Sequence, residues 1–321
     1  MALRRSPKNP ILTRDDIPDL PDGFTDVTSV FNPGAVLFEN RYILLLRVQS
    51  RGRETQLVKA ESDDGVDFRV ADTHVEIRGI ENQKDTLYHV YDPRITKIGE
   101  IYYVTLAIDT NSGCRMGLAR TRDFDRFDFV GIASDPDTRN SVLFPERVGG
   151  WFVRLDRPNK ELAPFGPTTG LEIQIAISED LVTWEPRGTV LRGRPHHWDE
   201  LIGSGPPPVK TREGWLHVYH GVATHFGSSN IYQAGIALLD LNDPSTIVAR
   251  GRNCILEPRE LYEMVGQVPN VVFPTGMIVK RYDDDGFAEM DSDVLLYYGA
   301  ADTCVCLAAS TVRELIDACH D

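Results

Sequence analysis

The chain repeats one pattern five times, and few folds are open to a sequence that does so. The pattern is a turn followed by two strand-length apolar runs joined through a short polar hairpin. The five instances read "FNPGAVLFENRYILLLRVQ", "YDPRITKIGEIYYVTLAID", "NSVLFPERVGGWFVRLDRP", "GPPPVKTREGWLHVYHGV" and "FPTGMIVKRYDDDGFAEMDSDVLLYYGAAD". The apolar runs are rich in Val, Ile, Tyr and Phe and are bounded by Gly, Asp, Asn or Pro, which marks strands rather than helices. Three units add an acidic turn followed by an aromatic residue able to pack between sheets, in "ESDDGVDF", "RTRDFDRF" and "ISEDLVTW". Unit starts near Asn32, Asp92, Asn140, Gly205 and Phe273 are separated by 60, 48, 65 and 68 residues. That spacing suits four-stranded blades with loop insertions. The pattern predicts an all-β chain, a five-bladed β-propeller over residues 1–321 as a single domain, with an N-terminal arm over about residues 1–25. A β-sandwich with many hairpins is the competing arrangement. Helical periodicity is confined to "STVRELIDACHD", where Ser310 is expected to cap a short C-terminal helix with Glu314 just inside.

Propeller geometry gives the unit boundaries a meaning. The innermost strand of every blade lines the channel, so the residues opening each unit converge on one mouth: Asn32, Asp92, Arg139 with Asn140, and the Gly203–Gly205 turn. The antiparallel second strand returns to the same mouth and ends there in Arg47, Asp109, Arg157, His220 and Asp302. These are polar, mostly charged residues set directly after apolar runs, as in "ILLLR", "FVRLDR", "LHVYH" and "YYGAAD".

The ring so assembled holds the cations Arg47, Arg139 and Arg157, with Lys210 on the first strand of the fourth unit, and the carboxylates Asp92 and Asp302. Arginine's planar fork suits phosphate or carboxylate oxygens, and lysine adds a point charge. The whole chain carries a net charge of −14, which argues against nucleic acid or an anionic membrane as partner. Cations gathered in one mouth of such a chain ask for a small anion. Cleaving a glycosidic bond needs an acid on the leaving oxygen and a nucleophile on the opposite face of the sugar. Phosphate arrives already anionic, so no second protein carboxylate is then required as base.

No apolar run reaches membrane-spanning length, and "MALRRSPKNPILTRDD" lacks the apolar core of a signal peptide. The five cysteines show no zinc-site spacing and read as free thiols of a reducing compartment, so a cytoplasmic location is expected. Adjacent His196 and His197 point to opposite sides of an extended chain and predict no metal site. The N-terminal arm and inserted loops can either cap the pocket or bridge subunits, which leaves a homo-oligomer open.

The motifs "YDPRI", "SVLFPERVGGWFVRLDRP" and "GSGPPPVKTREGWLHVYHG" resemble those of glycoside hydrolase family 130, the β-mannoside phosphorylases and related β-mannosidases, over nearly the whole chain. The resemblance implies a five-bladed propeller with Asp92 as general acid. It implies phosphate binding by Arg139, Arg157 and Lys210, with His220 as a further contact, and sugar binding by Asn32, Arg47, Arg53 and Tyr91, with Asp302 near the sugar subsites. The implied reaction is inverting phosphorolysis of a β-mannoside to α-mannose 1-phosphate, with phosphate as co-substrate and no cofactor. A hydrolase on the same propeller and a non-catalytic carbohydrate-binding propeller are the alternatives, and the linkage and acceptor sugar stay open.

Overall fold

The computed structural model describes residues 2–21, 23–158, 170–225 and 229–321. Five sheets form the blades of a β-propeller, antiparallel except where the short strand Ile77–Arg78 runs parallel to Phe127–Ile132 at the outer edge of the second blade. Blade I contains Val27–Phe38, Arg41–Ser50, Thr55–Ser62 and Arg69–His74; blade II contains Leu87–Ile98, Ile101–Thr110, Gly113–Thr121 and Phe127–Ile132. Blade III runs through Thr138–Leu143, Phe152–Pro158, Glu172–Ser178 and Glu185–Arg192. Blade IV runs through Leu201–Ser204, Gly214–Ala223, Ile231–Leu239 and Ile247–Arg250, with the short strand Val209–Thr211 also paired to Gly214–Ala223. Blade V consists of Val272–Val279, Asp293–Ala300, Cys304–Thr311 and, at its outer edge, the N-terminal pair Arg4–Arg5.

The two-residue period of the strands builds the core. Side chains alternate between the two faces of a strand, so each blade meets both neighbours with apolar surface. On Arg41–Ser50, Leu44, Leu46 and Val48 pack with Leu295, Tyr297 and Leu307 of blade V, while Ile43 and Leu45 pack with Val104, Leu106 and Ile108 of blade II. Each such side chain, fully buried, contributes about 1.5–3 kcal/mol.

The inner strands of blades I, II and III share one local device. Pairing with the second strand slips by one extra residue just after Phe31, Tyr91 and Arg139. The residues that follow, Asn32, Asp92 and Asn140, have φ of +48°, +51° and +52°. Left-handed backbone is costly for most side chains and least so for Asn and Asp, which is why an Asn or Asp stands at each of these three bulges. A bulge re-aims a side chain, and here it turns the polar group into the channel. Pro93 follows Asp92 at the bulge, where a residue without an N–H fits. Close packing of the inner strands requires glycine at 34, where a Cβ would lie 2.8 Å from the Pro93 carbonyl oxygen.

The acidic turns also repeat in structure. Asp64, Asp123 and Asp180 each accept two backbone N–H groups on Oδ1, and the Ser or Thr two residues earlier accepts a third. After the first of these turns, Phe68 meets Tyr297 of blade V edge-on at 5.9 Å.

Three features differ from the sequence expectation. Part of the N-terminal arm is a blade strand: Arg4 and Arg5 pair with Ala309 and Ala308, joining the two ends of the chain in one sheet. The C-terminal helix, Val312–His320, is capped by Thr311 rather than Ser310, because the reciprocal capping box places Glu314 three residues after the cap. Ser310 is still in the strand, where its hydroxyl donates to the Ala2 carbonyl. A four-residue helix, Leu261–Met264, interrupts the connection from blade IV to blade V. No helix among the described residues is long and apolar enough to cross a membrane.

Candidate active site

The mouth of the channel opens into a cavity of about 420 Å³ walled by the three bulges and by the ends of the second strands. Asn32, Arg47, Arg53, Tyr91, Asp92, Arg139, Arg157 and Asp302 all line it, together with Asp109 and Asn140. Antiparallel pairing accounts for the convergence: Arg47 lies opposite Phe31, Asp109 opposite His89, Arg157 opposite Arg139, and His220 opposite Gly203.

Asp92 is buried, and its Oδ1 accepts from Asn32 Nδ2 at 3.0 Å and from the Arg47 guanidinium at 2.9 Å. Oδ2 has no hydrogen bond among the described residues. Arg47 is itself clamped between the rings of Phe31 and Tyr91, at 4.5 and 4.4 Å from their centroids. Tyr91 donates its hydroxyl to Asp109 Oδ1 at 2.8 Å, and burial raises its phenol well above the usual range.

The backbone at Asp92 is held by Arg94. This guanidinium is fully buried and donates to the carbonyl oxygens of Gly205, Ser204 and Asp92 itself, at 2.7, 3.4 and 3.2 Å. Burial lowers it to about 10, against the pull of Asp92. It ties the inner strand of blade II to the start of blade IV across the channel, a task its place in "DPRI" does not announce. The signal present in the sequence was a charged residue inside an otherwise apolar inner strand.

Arg139 and Arg157 form the other half of the site. Arg157 is buried, makes no hydrogen bond or ion pair among the described residues, and is lowered to about 10 by burial and by Arg139. The carboxylate of Asp109 is 3.9 Å from Arg139, too far for a hydrogen bond. The Nε of each arginine is buried without a partner among the described residues. His220 lies behind them, wholly buried, with no side-chain partner for its ring nitrogens among the described residues and its ring 4.5 Å from that of Phe273. Burial, then Arg157 and Arg94, push its imidazole well below its usual range. A glycine at 203 is what admits the ring: a Cβ there would fall 2.5 Å from His220 Cε1 and 2.9 Å from Asn140 Oδ1.

Lys210 does not join this group, contrary to the sequence expectation. It pairs with Trp215 near the start of Gly214–Ala223, whereas His220 lies near that strand's end. Five residues of strand separate those levels by about 17 Å. Its ammonium instead binds Glu146 at 2.8 Å and sits over the Phe287 ring. The histidine pair is also accounted for: His197 Nδ1 is 2.9 Å from Asp199, which also binds Arg194, Arg250 and the Tyr219 hydroxyl. No His, Cys, Asp and Glu cluster suited to a metal occurs among the described residues. Residues that sequence reasoning did not assign include Gln49, Tyr232 and Phe273 on the cavity wall.

A propeller whose channel mouth holds a buried carboxylate beside an arginine pair with no hydrogen-bonded carboxylate among the described residues has the architecture of a carbohydrate-active enzyme. The profile of glycoside hydrolase family 130, described as β-1,4-mannooligosaccharide phosphorylase, matches residues 2–321, and the chain belongs to this family. It is 31% identical over 305 residues to the 1,2-β-oligomannan phosphorylase of Thermoanaerobacter sp. (strain X514), covering 89% of this chain and 91% of that one. It is 31% identical to the β-1,4-mannooligosaccharide phosphorylase of Ruminococcus albus, over 98% of this chain and 90% of the relative. The structure of β-1,2-mannobiose phosphorylase from Listeria innocua, in complex with β-1,2-mannobiose, superposes with a TM-score of 0.84 at 28% identity, covering 99% of both chains.

Proposed function

We propose that the protein is an inverting β-mannoside phosphorylase that converts a β-mannosyl oligosaccharide and phosphate into α-mannose 1-phosphate and a shortened sugar. The observation that carries this reading is the Arg139–Arg157 pair, two adjacent guanidiniums with no hydrogen-bonded carboxylate among the described residues. Such a pair favours a dianion, and His220 adds a neutral donor and acceptor beside it. Lys210 has no part in this clamp.

Phosphate held there attacks the anomeric carbon from the face opposite the leaving sugar. The new bond joins C1 to a phosphate oxygen as the glycosidic C–O bond breaks with its electron pair on the leaving oxygen. Asp92 supplies the proton, directly or through a mannose hydroxyl, from Oδ2, since Oδ1 is occupied by Asn32 and Arg47. Hydrogen phosphate brings one proton of its own, which restores the Asp92 carboxyl when the product ester releases it. The reaction balances without a cofactor. Asn32, Arg47, Arg53, Tyr91 and Asp302 surround the mannose.

A second cavity of about 450 Å³ continues from the first past Arg47, Gln49 and Arg53 to Thr28, Ser50, Arg51 and Gln267. It favours substrates longer than a disaccharide. The two relatives' names include both β-1,2 and β-1,4 linkages, so the test spans both. Purified protein is incubated with α-mannose 1-phosphate and glucose, N-acetylglucosamine, mannose or mannobiose as acceptor, and phosphate release is followed. The forward reaction is read with β-1,2- and β-1,4-mannobiose with and without phosphate. Release of free mannose at full rate without phosphate would make the enzyme a hydrolase and end this reading.

A further inference from the structure

Beside the arginine pair stands a carboxylate that the phosphorolysis described above leaves without a part. Asp109 lies near the end of Ile101–Thr110, on the cavity wall, with its side chain 34% exposed. Its Oδ1 accepts from the Tyr91 hydroxyl at 2.8 Å. The same oxygen is 3.9 Å from the Arg139 guanidinium, and Oδ2 is 3.6 Å from His89 Nδ1. Both of those separations exceed hydrogen-bond distance. A carboxylate offers about four acceptor sites, so Asp109 has acceptor capacity to spare toward the cavity. Tyr91 is buried and its phenol is pushed well above the usual range. It stays a donor and pins the carboxylate in place.

Arg139 and Arg157 are cross-strand partners lining the same cavity as Asp109. A tetrahedral anion held by Arg139 therefore comes up against this carboxylate. Phosphate and sulfate have the same shape, but at neutral pH phosphate keeps a proton and sulfate has none. A carboxylate accepts and cannot donate. Toward a P–OH group it makes a short, charge-assisted hydrogen bond. Toward a bare oxygen it sets like charges side by side, which suppresses the wrong ligand.

We propose that Asp109 selects the co-substrate by its proton, accepting a hydrogen bond from the P–OH of hydrogen phosphate and rejecting a fully ionised anion such as sulfate. This rests on the reading of the arginine pair as a phosphate clamp. It gives each oxygen of the anion a place. Two accept from Arg139 and Arg157, the protonated one donates to Asp109, and the fourth is left for the anomeric carbon. The wall is thereby divided in function: the arginines attract any dianion, and Asp109 discriminates between them.

The test is calorimetric binding of inorganic phosphate, arsenate and sulfate to the full chain, without sugar, at neutral pH and constant ionic strength. Wild type is expected to bind sulfate about tenfold or more weakly than phosphate, as a site built around a substrate's hydrogen bond rejects an analogue lacking it. Arsenate also keeps a proton and is expected to follow phosphate. Asp109→Asn keeps the side-chain shape and the acceptor for Tyr91, and it adds an N–H donor. Its sulfate affinity is expected to rise to that of phosphate or beyond. Asp109→Ala removes the charge and is expected to narrow the gap between the two anions as well, with folding of both variants checked by thermal denaturation. Sulfate bound as tightly as phosphate by wild type overturns the proposal, and so does arsenate bound as weakly as sulfate. A folded variant that keeps the wild-type preference overturns it too. If wild type shows phosphate-dependent cleavage and either of these failures, Asp109 alone loses its role. Wild type that binds none of the three anions ends this proposal together with the phosphorylase reading.

Discussion

Arg139 and Arg157 face one another as direct cross-strand partners on the first two strands of blade III. Like charges directly opposite are destabilising in a sheet, and burial of Arg157 compounds the cost. Among the described residues no carboxylate comes within hydrogen-bond distance of either. A fold keeps such a pair where an anion completes it.

Arg157→Ala therefore raises the phosphate concentration needed for half-maximal rate by one to two decades, the equivalent of a hydrogen bond to a charged group worth about 1.5–3 kcal/mol. Mannoside KM changes much less. Lys210→Ala serves as the contrast: with its ammonium on Glu146, phosphate KM stays within about twofold, the scale of an ordinary surface ion pair. Initial rates against phosphate for the two variants decide the point, and a larger phosphate defect in the lysine variant would remove the arginine pair from its role.

Asp92→Asn keeps the side-chain shape and loses the transferable proton. Cleavage of an unactivated mannoside falls by about 10²–10⁴-fold, the usual share of general acid catalysis. Phosphate binding by calorimetry should persist. Near wild-type turnover of β-mannobiose would exclude Asp92 as the acid.

Arg94→Met tests the clamp behind Asp92. The substitution removes donors to the carbonyls of Gly205 and Asp92 from a fully buried position. Urea denaturation is expected to show a loss of about 2–3 kcal/mol, from buried acceptors left unsatisfied. A variant as stable as wild type would mean the clamp carries no load.

Acid should loosen the junction of the two chain ends. Glu263 is completely buried and binds Arg5, Tyr298 and two backbone N–H groups. Burial raises its carboxyl, but Arg5 and the other donors outweigh that and leave it below its ordinary value of 4.5. Its contribution is fully present above 4.5 and is lost as pH falls through the lower, folded-state value. Arg5→Ala removes the main partner and is expected to cost about 3–5 kcal/mol at neutral pH, the scale for an orphaned buried charge. It should also flatten the acid limb of Tm against pH. An acid limb identical in variant and wild type would assign the pH dependence elsewhere.

Much of this was legible in the chain itself. Blade number follows from five recurring strand pairs, and the ring of mouth residues follows from hairpin geometry, because a strand's partner within a blade lies a few residues away in sequence. The Asn and Asp residues at 32, 92 and 140 are equally local, since each tolerates the left-handed backbone of its own bulge. What the sequence left open was which distant charge each of these groups meets. Arg47 reaches Asp92 rather than Asp302, Lys210 turns to Glu146, Arg94 crosses to Gly205, and Arg5 seats on Glu263. Those partners lie 45, 64, 111 and 258 residues apart. Strand periodicity determines which face a side chain occupies, but only the closed ring brings blades together closely enough to decide which charges pair.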